Sequence, residues 1–244
     1  MNYFLNARKS DRAFTLIELL VVIAIIATLA ALIIPVSHIV GKVRRIKVAQ
    51  GELGQIQLAI ETYKAKTGFY PPDNVSGSGY VNPVTNQLYY ELEGTVLTNI
   101  SGLNTYVTLD GNSQLAAGSF IATYGPGTTV RGFMNSSQSR HSSDEAAAAV
   151  NFLKGLRDNQ IGQLKLANNA TPRILVCSVP WANDSTAPIS YSAAPQQPPN
   201  LNPWRYVSTN PTNNPGSYDL WVDVLISGQT YRISNWSKQP QVVP

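Results

Sequence analysis

The chain is poor in cysteine, in charge and in histidine. A single cysteine, Cys177, among 244 residues excludes an intramolecular disulfide. It lies in the apolar run Ile174-Leu175-Val176-Cys177, where a thiol serves as a small buried apolar side chain. Charged residues make up 13% of the chain, about half the usual share of roughly 25%; Asn, Ser, Thr, Gln, Gly and Pro fill the gap. The net charge of +4 and pI near 9.1 are too modest to argue nucleic acid as a partner. His38 and His141 have no acid beside them, and the chain has no nucleophile elbow, zinc-ligand pair at helical spacing or phosphate-binding loop. The expectation is no enzyme, with no catalytic residue, cofactor or metal. No internal repeat is evident.

What is present is concentrated at the N-terminus. Behind a basic leader containing Arg8, Lys9 and Arg12, an apolar run from Phe14 to Ile34 is interrupted by one charge, Glu18. Leu19 to Val36 is charge-free and, at about 18 residues, just long enough to cross hydrocarbon as a helix. That exceeds the apolar core of a cleaved secretory signal, about 7–15 residues. An acidic side chain in such a setting costs roughly 2.5–3.5 kcal/mol at mid-bilayer, so it implies a partner or a task.

The segment Arg12-Ala13-Phe14-Thr15-Leu16-Ile17-Glu18-Leu19-Leu20-Val21-Val22-Ile23 resembles the N-terminal cleavage and methylation motif of type IV pilins and type II secretion pseudopilins. The resemblance implies cutting between Ala13 and Phe14 by a membrane-embedded prepilin peptidase, followed by N-methylation of Phe14. The family strongly prefers Gly before the cut, where this chain has Ala13. Glu18 is implied to pair with the freed N-terminus of a neighbouring subunit, and Pro35 to mark a helix kink. Unpaired charges in an apolar setting are expensive, so such a pair sets subunit register. Basic residues flank the span on both sides, with Lys42, Arg44, Arg45 and Lys47 beyond it, so a positive-inside count is equivocal. The resemblance places the leader in the cytoplasm and the head in the periplasm.

After Pro35, the residues Ile39, Val43, Ile46, Leu53, Ile56, Ile60 and Tyr63 recur at steps of three, four or seven and predict an amphipathic helix. It should end near Thr67, capped by Gly68 before Pro71-Pro72. The expected organisation is a leader over 1–13, a helix over 14–67 whose first part is transmembrane, and a β-rich head over 68–244. In the head, the spacing predicts a strand over 106–109 turning at Asp110-Gly111, a strand over 119–124, a capped helix over 146–156 and a strand over 174–179. A hairpin should turn at Ser227-Gly228. The fold class is α+β, a long helix packed on a small antiparallel sheet.

Tyr63-Lys64-x-x-x-Gly68-x-Tyr70-Pro71, Pro203-Trp204-x-Tyr206, Tyr218-Asp219-Leu220-Trp221 and Ile233-Ser234-Asn235-Trp236 resemble the major pseudopilin of type II secretion. An insertion over about 74–200 matches nothing in that family. Two departures stand out. Asn202 replaces the usual Asp before Pro-Trp, and the acidic calcium-binding loop is replaced by the Ser227-Gly228 turn. Asp219 and Asp223 are too few for calcium's six to eight oxygen ligands. Packing of Trp204, Trp221 and Trp236 is then expected to hold the sheet edge.

The resemblance implies an inner-membrane, single-pass filament subunit of a secretion pseudopilus. Its partners would be copies of itself, other pseudopilins, the prepilin peptidase and the inner-membrane assembly platform. The alternative is a surface pilin for adhesion, motility or DNA uptake, with the insertion as its recognition surface. The scattered arginines of the head, such as Arg131, Arg140 and Arg173, argue against nucleic acid.

Overall fold

The computed structural model describes residues 14–74, 82–125, 132–138, 148–166, 170–181, 192–193 and 200–243; the side chains of 32–39, 138 and 192–193 lie outside that description. The chain divides into two compact units, residues 1–44 and 45–244. Helix α1, Leu16–Thr67, supplies the first unit's described structure and enters the second. It is assigned as helix through position 35, and the kink expected at Pro35 lies outside the described side chains.

Within the second unit α1 buries Ala49, Leu53, Ile56, Ala59, Ile60 and Tyr63. Their steps of three and four put them on one helix face, as the sequence pattern predicts. Val43 departs from that pattern and is exposed. The helix stops where expected: Gly68 adopts φ +87° and its N–H donates to the Lys64 carbonyl at 2.8 Å, an orphan carbonyl at the helix end being satisfied by a left-handed residue.

The head holds three sheets where one was expected. Helix α2, Leu88–Glu93, is buried throughout. It leads into β1, Thr95–Ile100, and β2, Leu103–Thr108, an antiparallel hairpin turning at Ser101-Gly102, both at positive φ. The Asp110-Gly111 turn forms as expected, with the Thr108 hydroxyl donating to Asp110 Oδ1 at 2.5 Å, and it returns the chain to β3, Gln114–Ala116. β4, Ser136–Gln138, adds to β1 in parallel, giving the order β3-β2-β1-β4. A second sheet joins β5, Ile161–Lys165, to β6, Arg173–Leu175, and β7, Ser192–Ala193, in the order β6-β5-β7. Both come from the insertion.

The third sheet is the antiparallel one that the C-terminal sequence predicts. β8 (Arg205–Val207), β9 (Asp219–Ile226), β10 (Gln229–Ser234) and β11 (Ser237–Val243) run in the order β11-β10-β9-β8. Ser227 and Gly228 take φ +52° and +80° between Ile226 and Gln229, which pair directly. Alternate β9 residues Leu220, Val222, Val224 and Ile226 join the buried face of α1 in one hydrophobic core.

Three predicted elements differ. Residues 119–124 are not a strand: after a tight turn at Ala117–Ser119, Phe120–Tyr124 forms the short helix α3. One helical turn brings the Phe120 and Tyr124 rings to 5.1 Å, whereas a strand would hold them about 13 Å apart. Both rings then pack on Phe133, which stacks on Tyr90. The helix expected over 146–156 is absent from its described part, 148–156. Its backbone bonds elsewhere: Val150 N–H donates to Asn135 Oδ1 at 2.9 Å, and Phe152 N–H donates to the Leu92 carbonyl at 2.8 Å. The strand over 174–179 is shorter than expected, ending at Leu175 with a single bridge from Val176 to Pro203.

Candidate assembly site

The start of α1 is built by a local rule that the sequence already displays, Thr-x-x-Glu before an apolar run. Thr15 is the cap: its carbonyl accepts from Leu19 N–H at 3.2 Å and its hydroxyl from Glu18 N–H at 3.3 Å. Glu18 reaches back, its Oε2 accepting from the Thr15 N–H and the Thr15 hydroxyl, each at 2.8 Å. A carboxylate in the first turn also faces the positive end of the helix dipole. Within one chain Glu18 therefore has a task, and Thr15 gains a capping role beside it. Phe14, beside the cap, is 80% exposed, and Ala13 lies outside the described residues.

Beyond the cap, Leu19, Leu20, Val21, Val22 and Ile23 are all exposed. At about 100° per residue five consecutive positions circle the helix, so no face of this segment is covered by its own chain. Among the described residues, no helix is long and apolar enough to cross a membrane.

The second unit grips its part of α1 through two buried carboxylates. Glu52, on the helix, accepts from Ser178 N–H at 3.0 Å and from the Ser178 hydroxyl, with the Arg157 guanidinium 3.8 Å away. Glu91, on α2, accepts from the Tyr63 hydroxyl at 2.9 Å, Met134 N–H at 2.8 Å and Asn135 N–H at 3.0 Å. Burial pushes the Glu91 carboxyl up to about 7 against the pull of those three donors. Glu93 is also raised to about 7, first by burial and then by Asp110. Cys177 is buried as expected, and its thiol is pushed up by burial and by Glu52, which makes it unreactive.

The C-terminal acids are committed to protein donors. Asp223 forms a two-pronged bridge to Arg232 at 2.8 and 2.9 Å. Asp219 accepts from Asn213 N–H, Asn213 Nδ2 and Asn214 N–H, each at 2.9 Å. No group of three or more metal-binding side chains is present among the described residues. Asn202 is buried, and its amide nitrogen donates to the carbonyls of Val179 at 3.1 Å and Asp223 at 2.8 Å. A carboxylate there could not donate, which accounts physically for Asn in place of Asp. Trp221 and Trp236 meet at 5.7 Å on neighbouring parts of the sheet, while Trp204 lies in the main core. His38 lacks a described side chain, and His141 lies outside the described residues.

Residues 8–34 match the family model of the prokaryotic N-terminal methylation motif. The N-terminal segment is thus similar to a prokaryotic N-terminal methylation motif. The type II secretion system core protein G of Pseudomonas aeruginosa is 36% identical over 64 residues, covering 26% of this chain and 45% of that protein. The chain thus spans less than half the length of this relative. No solved structure matches the chain. The pilin-like α+β architecture nevertheless stands on the chain's own fold, a long N-terminal helix followed by mainly antiparallel sheets.

Proposed function

We propose that this pilin-like chain is the structural subunit of a type II secretion pseudopilus, with no catalytic role. It is cut between Ala13 and Phe14 by a prepilin peptidase, methylated at Phe14, held in the inner membrane by the run Leu19 to Val36 and then polymerised through α1, with the head in the periplasm. One observation carries this reading. The first unit exposes apolar side chains on every face of the helix, with a single acidic residue at its entrance. Such a surface needs lipid or copies of itself around it. Once cleavage creates an amine at Phe14, Glu18 has a free oxygen, Oε1, beside its capping bonds for the amine of an adjacent subunit. A registry role follows, because a subunit docked out of step leaves two charges unmatched in an apolar setting.

Glu18→Ala tests the reading in cells that process the unaltered chain. The variant is expected to be cleaved and membrane-bound yet to yield no sheared or cross-linked filaments. Filaments at the unaltered level would overturn the assembly role of Glu18.

A further inference from the structure

We infer that Arg44, Arg45 and Lys47 form a binding surface for anionic phospholipid headgroups on the head side of the membrane; this rests on the membrane reading above.

The position of these residues follows from helix length. A helix rises about 1.5 Å per residue, so the hydrocarbon core, about 30 Å, takes roughly 20 residues from Leu16 and ends near Val36. Ser37 and His38 are the next residues. Arg44 follows Leu16 by 28 positions, or about 42 Å, which is about 12 Å past the hydrocarbon edge and a few Å beyond a headgroup layer about 5–8 Å deep. The cations therefore enter the helix just outside the lipid phosphates, within reach of long side chains that snorkel back to them.

Their setting in the chain points the same way. Arg44, Arg45 and Lys47 are exposed, and neither salt bridge among the described residues uses them. Successive positions turn by about 100°, so the three side chains leave the helix over an arc of roughly 160°. A surrounding layer of phosphates fits such an arc better than one acidic groove does. Of the described acids in residues 45–244, Glu52, Asp73, Glu91, Glu93, Asp219 and Asp223 are buried, which leaves Glu61, Asp110 and Asp158 exposed to a neighbouring copy. Guanidinium and ammonium groups at a headgroup layer bind anionic lipid, and salt weakens the attraction.

The test uses the full chain purified from its membrane, carrying Val40→Trp as a reporter, in phosphatidylcholine vesicles. The vesicles contain dansyl-phosphatidylglycerol or dansyl-phosphatidylcholine at equal mole fraction. Energy transfer is read as the difference from the chain without the added tryptophan. The expected result is an excess of about twofold or more for the anionic probe, abolished by Arg44→Gln, Arg45→Gln and Lys47→Gln together and reduced in about 0.5 M salt. Equal transfer to both probes, or an excess that survives the triple substitution, overturns the inference while leaving the membrane reading intact. Release of the chain from the vesicles by alkaline carbonate removes the membrane reading and this inference with it.

Discussion

At the scale of single residues, two buried polar groups give measurable consequences. Asn202 donates to two carbonyls at 2.8 and 3.1 Å, so Asn202→Asp would set a buried carboxylate against two oxygens. Loss of buried hydrogen bonds with an unpaired charge left behind is expected to destabilise by about 3–5 kcal/mol, read as a lower urea midpoint at pH 7. A midpoint within experimental scatter of the unaltered chain would contradict this account of the site. Glu91 gives a pH dependence. Its folded value near 7 lies above its ordinary 4.5, so the native state holds a proton that the unfolded chain has released. Its contribution is full below about pH 4.5 and is lost as pH rises through about 7. Glu93 acts in the same direction. Thermal unfolding should show stability falling between about pH 5 and pH 8. Glu91→Gln should flatten that fall, whatever its absolute melting temperature.

At the scale of elements, α1 joins the head through a narrow stripe of side chains. Ile60 is completely buried in the stripe between Ile56 and Tyr63, so Ile60→Ala should cost about 2–5 kcal/mol. Chemical denaturation would read this, and a loss below about 1 kcal/mol would mean that the stripe does not anchor the helix. Much at this scale was legible in the sequence, because periodicity and turn chemistry act locally. The Ile56-Ile60-Tyr63 spacing, the Gly68 stop and the Ser227-Gly228 hairpin all depend on residues a few positions apart. The Thr15-Glu18 cap was equally local and readable as Thr-x-x-Glu. The failures depended on distant partners. Phe120 and Tyr124 form a helical turn whose rings meet Phe133. Residues 148–156 exchange hydrogen bonds with Asn135 and Leu92 rather than with one another. The insertion's two added sheets were illegible for the same reason, their pairings joining short strands with weak individual patterns.

At the scale of the whole molecule, the two units divide the labour. Residues 45–244 form a head with its own core, into which the later turns of α1 are built. Residues 14–31 are apolar on every exposed face apart from Glu18 and Thr residues. An N-terminal helix with its apolar side chains turned outward suits the proposed subunit that leaves lipid for a filament. In the proposed assembly, the processing step that would free the Phe14 amine for Glu18 comes first. Intact mass spectrometry with N-terminal fragmentation, on the chain purified from its native membrane, tests that step most directly. A mature chain beginning at methylated Phe14 is the predicted result. A chain still beginning at Met1, or one cut beyond Ala31, would contradict it.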